Sequence, residues 1–185
     1  MPPKTKIDRE QIVQQALELV RQGGEAALNA RSIATALGCS TQPIFSHFHS
    51  MQALRETVIV TAGEVYARMV EQEFATGNYP PYKASGMAYI RFAEQEKCLF
   101  RLLFMRDRAG EATEDTSLEP LYAYIQEKWG IDRETALLFH LEMWGFVHGI
   151  ASMLVTGYYT PDWTLIDRML TDVFTALGWR FGRKE

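Results

Sequence analysis

Apolar residues recur along this chain at intervals of three and four, the period of an amphipathic helix, and no stretch reads as a strand. Ile12, Val13, Ala16, Leu17 and Val20 form the first stripe, with Asp8 placed to cap it and Gly23-Gly24 to close it. A short second helix, Arg31 to Leu37, carries Ile33, Ala34 and Leu37. Gly38 stops it, because glycine enters the left-handed conformation at little steric cost. Ser40 or Thr41 can cap a third helix, with Pro43 in the first turn, where a missing N–H costs nothing, and Ile44 and Phe48 facing inward. Ser50 can cap a long fourth helix with Leu54, Val58, Ala62, Val65 and Met69 on one face and Gly77 beyond its end. Pro80-Pro81 restarts the chain. A fifth helix runs to about Glu96, a short apolar sixth covers Leu99 to Met105, and residues 107–117 read as a polar loop. A seventh helix from about Leu118 to Trp129, an eighth capped by Asp132 and reaching Thr156, and a ninth from Pro161 to near Gly178 complete the pattern. The predicted fold is all-α, with about nine helices.

Two short helices across a tight glycine turn form the helix-turn-helix unit, whose second helix lies in the DNA major groove. The implied partner is a double-stranded DNA operator. Residues 1–50 are therefore expected to form a helix-turn-helix DNA-binding domain, and residues 51–185 a second, helical domain. With 185 residues, 47% of them hydrophobic, the chain is long enough for one or two domains with a real core.

The net charge of −4 argues at first against nucleic acid, but its distribution argues the other way. Residues 1–55 hold six basic against four acidic side chains, and the remainder holds 13 against 19. A mildly basic head on an acidic body suits a DNA reader whose body stays off the phosphates. Cys39 and Cys98 are too few for a disulfide framework or a zinc module, so no metal and no cofactor are expected. The polar N-terminus and the lack of a long unbroken apolar run predict no membrane association and a cytoplasmic setting.

Thr41, Gln42, Phe45, Ser46 and His47 are the outward candidates on the third helix, flanked by Ser40 and Pro43. Gln42 suits a two-point hydrogen bond to adenine. Phe45 has two readings, an apolar contact to a sugar or thymine methyl, or a place in the core; Phe48 is read as core. Arg31, with Lys4, Lys6 and Arg9 near the first helix, suits phosphate contacts, which set register and supply salt-dependent affinity.

Ile33-Ala34, Gly38, Ser40, Ile44, Phe45, His47, Phe48 and Leu54 together resemble the TetR family of one-component transcriptional regulators. The family's usual pattern there is Ile-Ala, Gly, Val-Ser, Leu-Tyr, His-Phe, then a lysine before a leucine. Cys39 stands for the valine, Phe45 for the tyrosine, and Met51 for the lysine, which in the family contacts a phosphate. Further on, Trp144-Gly-Phe-Val-His148-Gly149 looks like the Trp-His-Gly signature of one subgroup, and Leu99 to Met105 is similar to that subgroup's short apolar helix.

The resemblance implies a homodimer through the eighth and ninth helices and an unknown small-molecule effector. Gly145, Gly149, Ser152 and Thr156 would form a small-residue stripe on the eighth helix, and Ile166, Leu170, Val173, Phe174 and Leu177 an apolar face on the ninth. The other reading packs both stripes inside one subunit. Phe100, Phe104, Tyr122, Met143, Trp144 and His148 are the effector-site candidates, with His148 a polar anchor or simply a buried histidine satisfied by its surroundings. The expected function is a dimeric regulator, a repressor on the resemblance, released from a palindromic operator by a small apolar ligand. Two rivals remain. An enzyme has little support, since no catalytic motif occurs and His140, Glu142 and His148 do not share one helix face. A helical interaction or ligand-sensing module with weakened DNA binding is the alternative that Met51 favours.

Overall fold

The computed structural model describes residues 7–107 and 118–182, and every helix or strand assigned among them is a helix. In chain order these are α1 (Arg9–Gly23), α2 (Ala30–Ala36), α3 (Gln42–His47), α4 (Met51–Ala75), α5 (Pro81–Gln95), α6 (Lys97–Phe104), α7 (Glu119–Trp129), α8 (Arg133–Val155) and α9 (Trp163–Phe181), with a 3-10 turn at Glu25–Ala27. Lys4, Lys6 and residues 108–117 of the expected loop lie outside the described residues.

Short polar side chains start these helices by satisfying backbone N–H groups that have no partner in the first turn. The Asp8 carboxylate accepts from Gln11 N at 2.8 Å, and the Gln11 side chain accepts from Asp8 N at 3.0 Å. Asn29 caps α2 through Ser32 N at 3.0 Å, Asp132 caps α8 through Thr135 N at 2.8 Å, and Asp162 caps α9 through Leu165 N at 3.0 Å. The hydrogen bonds from Thr135 hold the Asp132 carboxyl below its ordinary range.

The described residues fall into two compact units: 7–67 with 96–106, and 68–95 with 107 and 118–182. The units therefore do not divide at residue 50. Two elements account for this: α4 as far as residue 67 stays in the first unit, and so does α6, whose Leu99, Phe100 and Leu102 are buried and which packs against α1. In this first unit α1 also packs against α2 and α3, burying Ile12, Val13, Ala16, Leu17 and Val20 with Ile33, Ala34, Ile44 and Phe48. The predicted stripe of α4 is buried from Leu54 through Val58 and Ala62 to Val65.

In the second unit α5 and α8 pack on each other, and α7 and α9 each pack on both. Phe92 and Phe139 are fully buried there, and the Phe139 ring lies 5.2 Å from that of Phe174 on α9.

One expectation about α9 is corrected. The helix does not end at Gly178 but continues to Phe181. Gly178 is buried inside the helix, where a Cβ would stand 2.0 Å from the Trp129 ring. The glycine makes room for an indole instead of turning the chain. Part of the apolar face of α9 packs within its own unit: Ile166 and Leu170 are buried, and Phe174 packs against Tyr82, Phe139 and Trp129. Val173 and Leu177 on the same face remain half-exposed. On α8, by contrast, Gly145, Gly149 and Thr156 are exposed, and a Cβ built at either glycine would meet nothing within 4 Å.

Candidate nucleic-acid interface

Helices α2 and α3 are joined by Leu37 to Thr41, with Gly38 at φ 64°, the left-handed turn that the motif needs. Pro43 occupies the first turn of α3, and Thr41 holds the N-cap position without a side-chain cap bond. The inner edge of α3 is fixed by Ile44 and by Phe48, just past its end, both buried. That leaves Ser40, Gln42, Phe45, Ser46 and His47 exposed and Thr41 and Pro43 half-exposed. At 51% exposure, Phe45 is placed outside the core.

These side chains are not equally available. The Gln42 amide makes no hydrogen bond among the described residues, so both its donor and its acceptor can serve a base edge. Ser46 Oγ donates to the Gln42 carbonyl at 2.9 Å, which turns the hydroxyl back onto its own helix. His47 Nε2 lies 3.2 Å from the Ile7 carbonyl, and since a carbonyl only accepts, Nε2 carries the hydrogen. A neutral His47 would then offer a partner only an acceptor at Nδ1, unsuited to a phosphate.

Arg31 is exposed at the start of α2, with no hydrogen bond or ion pair among the described residues. Arg9 is differently occupied: its guanidinium lies 4.8 Å over the Phe48 ring and donates to Thr57 Oγ1 at 3.2 Å. It ties α1 to the end of α3 and to α4. Arg55 pairs with Glu25. Met51, at the first position of α4, is half-exposed and brings no charge there.

The six effector-site candidates are not in one unit. Phe100 is fully buried in the first unit, its ring 5.1 Å from Phe104, which stands 5.3 Å from Tyr66. Tyr122, Met143, Trp144 and His148 belong to the second. Tyr122 and Met143 are buried, whereas Trp144 is 43% exposed and stacks at 5.0 Å on His148. His148 Nδ1 shares a hydrogen bond with the Tyr89 hydroxyl at 2.8 Å, a side-chain partner.

A second pair of the same kind escaped the sequence reading. The Tyr82 hydroxyl and His140 Nδ1 share a hydrogen bond at 3.0 Å. Tyr82 and Tyr89 lie seven apart on α5, and His140 and His148 eight apart on α8, so two similar links cross the α5–α8 contact. That spacing was present in the sequence; the pairing of the two helices was not. Burial pushes both imidazoles below their ordinary value and the Tyr82 phenol well above its own.

Against known proteins, the sequence model of the tetracyclin repressor-like C-terminal domain matches residues 82–176. The chain is 25% identical over 179 residues to an uncharacterized HTH-type transcriptional regulator of Mycobacterium tuberculosis, covering 94% of this chain and 81% of that protein. Its fold is similar to a TetR family member from Streptomyces coelicolor (TM-score 0.57, 19% identity, 89% of this chain and 96% of the other). It is also similar to a putative TetR-type transcriptional regulator from Vibrio parahaemolyticus (TM-score 0.60, 16% identity, 95% and 99%).

Proposed function

Because the chain belongs to the tetracycline-repressor-like (TetR) family of transcriptional regulators, we propose that it works as a homodimeric repressor that binds a palindromic operator and leaves it when a small apolar effector binds. The observation that carries this reading is the outward face of the helix-turn-helix, where Gln42 and Arg31 remain free of partners among the described residues. Gln42 would read a base, Phe45 would contact a sugar or a thymine methyl, and Arg31 would hold a phosphate. Lys4 and Lys6 would add phosphate contacts from the N-terminal arm.

One helix-turn-helix reads only a few base pairs, and two-fold dimers that span half-sites about 34–36 Å apart extend the reading. The exposed face of α8 supports a dimer. Leu137, Leu138, Leu141 and Trp144 expose 41–61% of their surface beside Gly145 and Gly149, where a partner helix could approach closely. On α9, Leu165 and Trp179 are the exposed large apolar residues that would join it. Helix α8 is also long and apolar enough to cross a membrane, but it packs against α5, α7 and α9 as the central helix of a bundle does.

Trp144, His148 and Gly149 support placement in the Trp-His-Gly subgroup, with Tyr122 and Met143 as apolar effector contacts of the second unit. Helix α4 carries residues of both units in one unbroken element, so an effector that favours one position of α4 would alter the spacing of the two recognition helices. The test is selection of genomic DNA fragments by the purified protein at near-physiological salt, followed by sequencing. Enrichment of a two-fold symmetric motif is expected. Failure to enrich any motif, at lower salt as well, would defeat the proposal.

A further inference from the structure

Glu73, near the end of α4, is the one charged residue buried among the described residues. A buried carboxylate is costly unless it is both paired and hydrogen-bonded. Its pair is Arg91 on α5, with Nε 3.1 Å from a Glu73 oxygen. The N–H is not aligned with that oxygen, however, and buried Arg91 Nε has no hydrogen-bond partner. Among the described residues, neither the Glu73 carboxylate nor the Arg91 guanidinium makes a hydrogen bond. The guanidinium is nonetheless positioned, because it also lies 4.4 Å over the ring of Trp163 at the start of α9.

The same two side chains border a pocket of about 150 Å3 within the second unit. Gln72 and Gln95 add amides to its wall, and Met69 and Ala88 add apolar surface. Thr76, also at the wall, donates its hydroxyl to the Glu73 carbonyl at 2.8 Å and is already engaged. A cavity of this volume holds a molecule of about six heavy atoms. The charges of the pair cancel, so a ligand of net charge would meet no compensating charge. A neutral ligand that donates to Glu73 and accepts from Arg91 would complete both groups.

We propose that this pocket binds a small zwitterion, an α-amino acid of the size of glycine or alanine, with its ammonium on Glu73 and its carboxylate on Arg91. The guanidinium fork suits a carboxylate, and an ammonium supplies donors to the Glu73 carboxylate, which accepts no hydrogen bond among the described residues. A pair that served only to join α4 to α5 would align its N–H with the carboxylate and would not border a pocket. This site is separate from the aromatic effector candidates and does not depend on DNA binding.

Isothermal titration of the full chain with glycine and with L-alanine tests the proposal, using acetate and methylamine as probes that match only one member of the pair. Both zwitterions are expected to bind, and each half-probe at least about tenfold more weakly. Glu73→Gln should weaken zwitterion binding by about tenfold or more. If that variant does not fold, Gln95→Trp, at an exposed wall position, narrows the pocket without touching the ion pair and should give the same loss. Heats equal to buffer dilution for both zwitterions would overturn the proposal. So would acetate binding as well as glycine, or unchanged binding in Gln95→Trp.

Discussion

The head and the α5–α8 body treat their polar groups in opposite ways. In the head the core is wholly apolar, and the free polar groups, Arg31 and the Gln42 amide, stand outside. In the body Tyr82–His140, Tyr89–His148 and Glu73–Arg91 are partly or fully buried, while Leu137, Leu138, Leu141 and Trp144 stand outside. A polar exterior suits a hydrated, charged partner such as DNA. An apolar exterior suits another protein surface, since contiguous exposed apolar patches on soluble proteins commonly mark such contacts. The regions differ in what each leaves unsatisfied, and substitutions can separate them.

The largest contrast should come from two phenylalanines. Phe139→Ala removes a fully buried ring and should destabilise the chain by about 3–5 kcal/mol. Phe45→Ala removes a ring that is 51% exposed and should change stability by less than about 0.5 kcal/mol. Urea unfolding gives both values. A large loss for Phe45→Ala would place that ring in the core after all and take it out of the DNA-facing set.

Next in size is Leu141→Glu, at a position 61% exposed on α8. It should leave the fold intact and, through a charge buried in the dimer, raise the dimer dissociation constant by about 100-fold, on the order of 2.7 kcal/mol. Sedimentation velocity over a concentration series measures this. An unchanged dimer would remove the α8 face from the interface.

What was legible in the sequence follows the same division. The helix-turn-helix could be read because its determinants are local: Gly38 for the turn, Pro43 for the helix start, and Ile33 and Ile44 for the inward faces. The body depends on which helices meet. Nothing near Gly178 signals that Trp129 arrives from α7, so the residue looked like a helix stop. On α9, likewise, periodicity marks a face as apolar without naming what covers it. The two tyrosine–histidine links needed the α5–α8 pairing, and α6 joined the head's unit through contacts with α1 that spacing does not encode.

On the head the expected effects are smaller and more specific. Gln42→Ala should cost about 1–3 kcal/mol of discrimination at one base position per half-site and relax preference there. Arg31→Ala should weaken binding to all sequences alike and reduce the slope of log affinity against log salt by about one for each arginine removed. Equilibrium titrations at several salt concentrations distinguish them. Interchanged behaviour would mean that the two roles are assigned to the wrong residues.

The last contrast is one of pH. His140 and His148 each share a hydrogen bond with a tyrosine hydroxyl through Nδ1, in surroundings whose burial favours the neutral ring. Burial lowers both values below the ordinary histidine value of 6.5. The unfolded chain therefore takes up protons first as pH falls, and stability drops with it. The histidine contribution is complete above about pH 6.5 and is lost as pH falls from there through the lowered folded-state values. Urea unfolding between about pH 8 and pH 5 should show this loss, and replacing both histidines with glutamine should flatten the curve between about pH 7 and pH 5. Acidic groups titrating lower in the range affect both proteins alike, so the difference between the curves isolates the imidazoles. Parallel curves would mean that the two links titrate equally in the folded and unfolded chains, and the body would lose the polar interior that sets it apart from the head.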